Sequence, residues 1–317
     1  MTVIVVGSIN MDIVLTVDHF PEPGETISAT GLNYFPGGKG ANQAVAIARL
    51  GHKAMLIGRV GSDAYGPVLL DGLQKDNVIT THTLPLEESS SGVALITVDR
   101  TGENSIVVYA GANARLQPAD VAACFNQLER DASVFLTQLE VPLDTVLRSI
   151  TLAKERGLKT VFNPAPSRAL EEVRLILGKT DVLVLNETET QTLTGIALES
   201  DQDAFDAADW LLGLGPEAIV ITLGAAGSIL VDKEQHVHLP APDVEAVDTT
   251  AAGDAFIGGL CVSLLEGRSR AEAVRFANCA GAIAVTRHGA QPSLPTYEDV
   301  MQASLASHES LAMARRA

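Results

Sequence analysis

The sequence predicts an α/β fold in which helices flank a mostly parallel central sheet. Short runs of apolar residues typical of buried strands recur along the chain, at residues 2–8, 133–138, 159–164, 181–187 and 218–224. Segments with helical spacing of apolar residues lie between them, most clearly at 143–157 and 201–215. Because strands that alternate with helices are joined by right-handed crossovers, we expect parallel strands with helices on both faces of the sheet.

A second, smaller sheet is predicted from segments that do not fit this alternation. Three segments alternate apolar and polar side chains roughly with period two, with turn signals between them: 11–20, 25–35 and 91–99. They indicate an antiparallel lid whose strands are inserted at about 11–35 and 91–108 of a single domain, residues 1–317. Its apolar side chains would face water on one side, so we expect the lid to cover a ligand or to contact a second subunit.

Composition restricts the partners and the compartment. The 317-residue chain is 46% hydrophobic and has a formal net charge of −17, which argues against nucleic acid and anionic membranes as partners. Cys124, Cys261 and Cys279 show no metal-binding spacing and are expected to be packing residues. The amino terminus lacks the features of a signal peptide, and no apolar stretch approaches ~18 residues. We therefore expect a cytoplasmic protein without a membrane span.

Polar residues and a glycine follow several of the predicted strands. In open α/β sheets ligands bind beyond the carboxyl ends of the strands, so residues that follow strands should share one rim. These residues are Asn10, Glu140, Asn163, Asn186 and Gly224. Taken alone, Asn10 and the nearby Asp12 are equally consistent with turn formation and with ligand binding. The rim is therefore the predicted location of a ligand site.

The segment GGKGAN, residues 37–42, opens a predicted helix that continues to residue 51. Glycines let a backbone approach a ligand closely, and Lys39 with the free N–H groups of the helix start would face that ligand. The segment is not a P-loop, because Gly40 follows the lysine where Ser or Thr is required. A plain glycine-rich turn between a strand and a helix is the alternative interpretation.

Three other features have both a structural and a functional interpretation. Residues 221–231 form a strand, a glycine turn and a second strand, either as a hairpin or as a backbone platform for a flat ring. The segment NETE, residues 186–189, begins a helix after a strand, where Asn186 is suited to be the N-cap. His236 and His238 lack a third metal ligand and are expected to be surface residues.

The segment VDTTAAGDAF, residues 247–256, carries the strongest chemical signal. Its small residues Ala251, Ala252 and Gly253 lie at the start of an apolar helix, where unpaired N–H groups and the helix dipole favour anions. A carboxylate at the same place, Asp254, is an odd partner if anion binding is the only task. Phosphoryl transfer needs both groups, because amides hold the moving phosphoryl group while a carboxylate accepts the proton of the attacking hydroxyl. Alternatively, Asp254 only complements the helix dipole.

Nine motifs occur together and in this order: GSINMD, PGETI, GGKGANQAVAIARLG, QLEVPL, NPAP, NETE, TLGAAG, VDTTAAGDAF and TRHGAQPS. On this ordered set, the chain closely resembles the ribokinase group of the PfkB carbohydrate-kinase family from about residue 2 to about residue 300. The resemblance implies an α/β sandwich with a β lid that often mediates dimerisation. The implied reaction transfers a phosphoryl group from ATP, with Mg²⁺, to the 5-hydroxyl of D-ribose.

The resemblance also implies roles for particular residues. Asp254 matches the general base, and the amides of Ala251, Ala252 and Gly253 match an anion hole. Positions that match sugar contacts are Asn10, Asp12, Gly38, Lys39, Asn42, Glu140 and Asp254. Positions that match nucleotide, phosphate or Mg²⁺ contacts are Asn186, Glu189, Thr222, Leu223, Gly224, Ala225, Ala226, Gly227, Gly253 and Asn278. Positions that match the ligands of an activating K⁺ are Asp248, Thr250, Ala284, Arg287, Gly289 and Ser293.

Two departures from the family pattern leave alternatives open. Ala251 stands where many members have glycine, and Met11 stands where some ribokinases have alanine. A bulky residue beside the sugar would disfavour a hydroxyl, so a deoxyribokinase or another pentose or nucleoside kinase is the alternative function. Outside the kinases, a non-catalytic binding relative is disfavoured by the presence of Asp254. A dinucleotide-dependent oxidoreductase is disfavoured because GSINMD, not G-x-G-x-x-G, follows the first strand.

Overall fold

The computed structural model describes residues 1–128 and 131–314, in which strands and helices alternate as the sequence predicts. The strands are β1 (Thr2–Val6), β2 (Asn10–Thr16), β3 (Gly31–Gly37), β4 (Lys53–Gly61), β5 (Thr83–Leu86), β6 (Gly92–Val98), β7 (Asn104–Tyr109), β8 (Ala132–Thr137), β9 (Lys159–Phe162), β10 (Val182–Asn186), β11 (Ala218–Thr222), β12 (Ser228–Asp232) and β13 (His236–Leu239). The helices are α1 (Lys39–Arg49), α2 (Tyr65–Lys75), α3 (Pro118–Gln127), α4 (Leu143–Glu155), α5 (Leu170–Leu177), α6 (Glu187–Thr194), α7 (Asp201–Leu212), α8 (Ala252–Leu265), α9 (Arg270–Ala284), α10 (Ala290–Ser293) and α11 (Tyr297–Ala314).

Nine strands form one central sheet in the order β13-β12-β11-β10-β9-β8-β1-β4-β5. Every pairing from β11 across to β5 is parallel, and the two pairings beyond β11 are antiparallel. The five strand runs predicted from the sequence are β1, β8, β9, β10 and β11, so the mostly parallel sheet is confirmed. The carboxyl ends of the parallel strands consequently meet at one edge.

Helices cover both faces of this sheet, each over its own apolar core. Successive residues of a strand point to opposite faces. In β1, Val3 and Val5 accordingly join the core under α1, α8 and α9, whereas Ile4 and Val6 join the core under α4 and α7. The near-continuous apolar strands are explained by this burial on both faces.

A separate four-stranded sheet, ordered β3-β2-β6-β7, forms the lid. Two of its pairings, β2–β3 and β6–β7, are antiparallel as predicted, and the central pairing β2–β6 is parallel. The parallel pairing arises because β2 follows β1 and β6 follows β5, which run in the same direction in the central sheet. The segment predicted as a strand at 25–35 begins only at Gly31, since a turn closed by hydrogen bonds between Glu22 and Glu25 precedes it.

No helix in the described ranges is long and apolar enough to cross a membrane. Within those ranges, Cys124 and Cys261 are free and all three cysteines are buried, in agreement with the packing role expected from their spacing. His236 and His238 each pair with one carboxylate, of Asp209 and Asp201, and no group of three His, Cys, Asp or Glu side chains there could hold a metal ion. His236 is exposed and His238 is half-buried, so the expected surface position is confirmed for His236 and met in part by His238.

Candidate active site

Two adjoining cavities lie along the amino-terminal end of α8. The first, of about 240 Å³, is the polar cavity, lined by Lys39, Asn163, Asn186, Glu189 and Asp254 among others. The second, of about 300 Å³, is the apolar cavity, and its walls include Pro242, Val244, Phe256, Ala282 and Val285. Both cavities share Thr222, Thr249, Gly253 and Phe256 as walls. One continuous site therefore runs from the strand ends past the start of α8.

Asp254 is buried at the polar cavity and held by two carboxamides of α1. The Nδ2 of Asn42 donates to one carboxylate oxygen at 3.0 Å, and the Nε2 of Gln43 donates to the other at 2.9 Å. Only 8% of Asp254 is exposed. Both oxygens are therefore fixed in place, and the carboxylate is more than a surface complement to the helix dipole.

Several charged side chains near Asp254 shift one another's pKa. Burial raises the pKa of Asp254, although Lys39 and the two carboxamide donors oppose that rise. Burial together with the charges of Glu140 and Asp254 raises the pKa of Asp12 to about 7. Burial lowers the pKa of Lys39, but Asp254, Glu140 and Glu189 outweigh it, so the net shift is upward and the ammonium is kept charged. The site thus combines a half-buried cation with carboxylates of raised proton affinity.

The start of α8 leaves amides free toward the cavities. Ala251 is the N-cap in the left-handed region, with φ 60° and ψ 9°. The N–H of Ala252 donates to the Thr249 carbonyl at 3.3 Å, and that of Ala255 to the Ala251 carbonyl at 2.9 Å. Among the described residues, no acceptor is seen for the N–H groups of Gly253 and Asp254. Of the amides predicted to form the anion hole, that of Ala252 is therefore occupied, whereas that of Gly253 is free within the described chain. Unpaired amides at a helix start favour an anion.

The start of α1 is different, although its sequence is also rich in small residues. Its N–H groups are occupied by protein acceptors: that of Lys39 donates to Glu140 Oε2 at 3.0 Å, and that of Ala41 to the Ser8 carbonyl at 2.9 Å. The hydroxyl of Ser8 also donates to Glu140. The expectation that the N–H groups of this helix start are free to face a ligand is therefore wrong for Lys39 and Ala41. Gly40 instead allows the start of α1 to pack closely against the backbone of Gly7.

The residues that match sugar contacts lie together at the edge where the carboxyl ends of the parallel strands meet. Asn10 and Asp12 project from the same face of β2, because residues two apart in a strand share a face. Both are buried, and a side chain at Gly37 would overlap the Asp12 carboxylate. Asn113, which the sequence did not suggest, donates to the Oδ1 of Asn10 at 2.7 Å. The same side chain accepts a hydrogen bond from the N–H of Ile9 and donates one to the Ile9 carbonyl. Asn10 is thereby oriented from a segment 103 residues away.

Asn186 and Glu189 form a reciprocal capping box at the start of α6. The Asn186 side chain accepts from the N–H of Glu189 at 2.8 Å, and Glu189 Oε2 accepts from the N–H of Asn186 at 2.9 Å. The predicted N-cap role of Asn186 is therefore confirmed. Both residues also line the polar cavity, and burial raises the pKa of Glu189. The two interpretations of NETE are compatible.

The segment from Thr222 to Gly227 joins β11 and β12 and borders the apolar cavity. Gly224 has φ 55° and Gly227 has φ 100°, and a side chain at Gly227 would overlap the Leu239 carbonyl. The segment is therefore a hairpin that requires glycine, and because it also borders a cavity the two interpretations are compatible. Asn278 lines the same cavity, where its Nδ2 donates to the Leu239 carbonyl at 2.9 Å.

The positions that match cation ligands adjoin the start of α8 only in part. Asp248 accepts from the N–H of Thr250 and from the N–H of Gly289, both at 2.8 Å, so two distant loops meet there. The Ser293 hydroxyl donates to the Ala290 carbonyl, and the guanidinium of Arg287 pairs with Asp299. Hydrogen bonds to Thr250 and Gly289 outweigh burial and lower the pKa of Asp248, so it is ionised.

Comparisons with known proteins agree with one another. A family model described as pfkB family carbohydrate kinase matches residues 2–297. The ribokinase of Haemophilus influenzae is 41% identical over 301 residues, covering 95% of this chain and 97% of that protein. A deoxyribokinase of Salmonella typhi is 36% identical over 299 residues, covering 94% and 97%. The solved structure of Arabidopsis thaliana ribokinase complexed with ribose and ATP matches with a TM-score of 0.86 at 30% identity, covering 95% of this chain and 98% of that one.

Proposed function

The chain belongs to the pfkB family of carbohydrate kinases, and from that membership we propose that it transfers the γ-phosphoryl group of ATP to the 5-hydroxyl of D-ribose. The observation that carries the proposal is the position of Asp254. It is a buried carboxylate at the start of a helix whose unpaired amides open on the same cavity. That combination serves proton removal and charge stabilisation at one point.

Asp254 is the general base in this proposal. The carboxamides of Asn42 and Gln43 hold its two oxygens, and the remaining lone pairs are available to the attacking hydroxyl. Burial gives the carboxylate a higher proton affinity than an exposed aspartate has, which suits a group that must take a proton. The hydroxyl oxygen attacks phosphorus, its proton moves to Asp254, and ADP leaves.

The phosphoryl group carries negative charge throughout the transfer, and the site supplies positive charge for it. The free N–H groups of Gly253 and Asp254 and the dipole of α8 would contact the equatorial oxygens. Lys39, which lines the same cavity and stays charged, adds a full positive charge. The apolar cavity, with Gly224, Gly227 and Asn278 on its walls, would take the adenine ring.

The donor set near the start of α6 fits Mg²⁺ that arrives with ATP. Mg²⁺ takes oxygen ligands and is usually held by one or two carboxylates plus substrate phosphates. Glu189 and Asn186 offer carboxylate and carboxamide oxygens at the polar cavity. We propose that these two residues would hold the ion, directly or through water, where it would supply positive charge against the phosphates of ATP.

The loops beside the start of α8 fit a monovalent cation. The set proposed to hold it offers carboxylate, hydroxyl and backbone carbonyl oxygens: Asp248, Thr250, Ala284, Arg287, Gly289 and Ser293. Asp248 is ionised and already ties the two loops together. We propose that these residues would hold K⁺ and that the ion would stiffen residues 248–250, which lead directly into the amides of α8.

The side chain of Met11, which was the reason to consider deoxyribose, points away from the residues that match sugar contacts, and we therefore propose ribose. Asn10 and Asp12 project from one face of β2, so Met11 between them projects from the other. Met11 is 3% exposed and belongs to the core packed by α1 and α8. The residue that motivated the deoxyribose alternative therefore does not project from the face that carries Asn10 and Asp12.

We propose that two lids associate to form a homodimer. Pairing places Tyr34, Ile13, Leu95 and Val107 side by side across one face of the lid. Three of them remain between 49% and 64% exposed, which is unusual for apolar side chains that share a face. Replacing Leu95 by lysine should give a monomer in light scattering. An unchanged mass would remove this face from the proposal.

We propose a cytoplasmic location, because the reaction consumes ATP and the thiols of Cys124 and Cys261 are free and buried. Such thiols agree with a reducing compartment. Cell fractionation with an antibody to the chain would test this, and recovery outside the cytoplasmic fraction would contradict it.

The deciding experiment measures initial rates of ADP release with Mg·ATP and K⁺. D-ribose should give the highest kcat/KM when compared with 2-deoxy-D-ribose, other pentoses and hexoses. A preference for 2-deoxy-D-ribose would replace the sugar and leave the chemistry unchanged. A lack of ADP release with every sugar would contradict the proposal.

A further inference from the structure

A chain of hydrogen bonds continues from Asp254 into the interior of the protein. Gln43 of α1 donates its Nε2 to Asp254 Oδ1 at 2.9 Å. Gln138, which follows β8, donates its Nε2 to the Oε1 of Gln43 at 2.5 Å. Both glutamines have no exposed surface, and neither lines the polar or the apolar cavity. This series of hydrogen bonds thus reaches the proposed base from the protein interior and not from either cavity.

The direction of this chain is fixed by the carboxylate. An ionised Asp accepts hydrogen bonds only, so Gln43 must turn its NH₂ group toward Asp254 and its carbonyl away. That carbonyl requires a donor, which orients Gln138 in turn. One consequence is visible at the far end, where the Gln138 Oε1 has no partner among the described residues. An unpaired buried carbonyl is costly, so the arrangement is not explained by packing alone.

Space for Gln138 is created by the strand-to-loop junction after β1. A side chain at Gly7 would overlap the Gln138 carboxamide, and it would also press on Gly40 at 2.7 Å from its Cα. The glycine of GSIN therefore makes room for a polar side chain in the interior. An aliphatic residue at 138 would fill that space without leaving an unpaired oxygen.

We propose that Gln43, itself oriented by Gln138, is a positioning residue that holds Asp254 ionised and in one rotamer for proton removal. The inference rests on the proposed function of Asp254 as the base. The Gln43 hydrogen bond lowers the proton affinity of the carboxylate against the effect of burial. It also fixes the carboxylate plane, so that the lone pairs not used by Asn42 and Gln43 face the cavity.

The test compares Gln43→Leu, Gln138→Leu and Gln43→Glu by steady-state kinetics across pH. Gln43→Leu should lower kcat by about 10- to 100-fold and change both KM values by less than about threefold, because substrate contacts are untouched. Gln138→Leu, one step removed, should have a smaller effect of the same kind. In Gln43→Leu the acidic limb of the kcat profile should move to higher pH, since a donor to Asp254 is lost.

Gln43→Glu distinguishes positioning from packing. When protonated, the introduced carboxyl group can donate to Asp254 and accept from Gln138, so it replaces glutamine. When ionised, it places a second negative charge against Asp254. Activity should therefore approach wild type at low pH and fall below it as pH rises. A constant ratio to wild type across pH would overturn the proposal.

Two further measurements keep the outcomes separate. Thr145→Val removes another buried hydrogen bond, to the Leu116 carbonyl on the opposite face of the sheet, and should leave kcat unchanged. The ¹³Cγ shift of Asp254, identified by its absence in Asp254→Asn, should titrate at higher pH in Gln43→Leu than in wild type. An unchanged titration would overturn the proposal even if no sugar were phosphorylated. An inactive wild-type protein with a shifted titration would contradict the proposed function alone.

Discussion

Replacing Asp254 by asparagine should separate catalysis from stability. The amide cannot take the proton of the sugar hydroxyl, so turnover should fall by on the order of 10³, within the 10²–10⁴ range of general-base catalysis. A factor of 10³ corresponds to about 4 kcal/mol in the activation free energy. Both cavities keep their shape, because the two side chains have the same size.

The fold should tolerate the Asp254→Asn substitution, and at neutral pH the variant should be more stable than wild type. The Oδ1 of Asn42 has no partner among the described residues, so Asn42 can flip and accept from the introduced NH₂ group. This bond replaces the one that Asn42 donates to Asp254, so the number of hydrogen bonds at residue 254 is unchanged and the gain comes from removal of the buried charge. Because burial raises the folded-state pKa of Asp254, its contribution to stability is full below the unfolded pKa and is lost as pH rises through the folded pKa. At neutral pH the variant, which carries no buried charge, should unfold at a higher temperature than wild type.

The assay combines single-turnover kinetics, equilibrium binding of ATP and sugar, and thermal melts at two pH values. Binding constants should stay within about threefold of wild type, which shows that the loss is chemical. The melting advantage should shrink at low pH, where wild-type Asp254 is protonated. Near-wild-type turnover would refute the assignment of the base. A lower melting temperature at neutral pH would refute the reasoning on stability.

Three other predictions follow from the same geometry. Because the pKa of Asp12 is raised to about 7, the carboxylate that would accept sugar hydroxyls forms only as pH rises through about 7; KM for ribose should fall over that range, and a flat KM would contradict it. Ala251→Gly relieves about 1–2 kcal/mol of left-handed strain against about 0.5–1 kcal/mol of added chain entropy, so the free energy of unfolding should rise by up to about 1.5 kcal/mol in urea titrations. A clear loss of stability would show that Ala251 is unstrained. Replacing K⁺ by Na⁺ should lower kcat in wild type but not in Asp248→Asn, and equal rates for wild type in both salts would remove the cation.

Local sequence predicted the features that depend on neighbouring residues. Hydrophobic runs between turn signals located β1, β8, β9, β10 and β11, because a strand buried on both faces needs apolar residues throughout. Asn186 was predicted as an N-cap because an N-cap bonds to an amide only three residues away. The ordered motifs also pointed to the family, and Asp254 was singled out from its own segment.

Several parts of the site were not predictable from short segments. Gln138 and Asn113 act on residues about a hundred positions away, and no local pattern reports such a pair. Gln43 lies within the quoted motif GGKGANQAVAIARLG, and a glutamine among alanines in a buried helix was the available signal. The lid strand β6 was predicted, but its parallel pairing with β2 depends on where β5 ends.

By itself, the sequence determined the α/β fold, the lid segments and the chemical types that phosphoryl transfer requires. Only the tertiary structure decided which helix start is available to an anion. The starts of α1 and α8 are both rich in small residues, yet Ser8 and Glu140 occupy the amides of α1, whereas those of Gly253 and Asp254 open on the cavities. The physical reason is that an N–H group is free or occupied according to what packs against it, and those acceptors come from other parts of the chain.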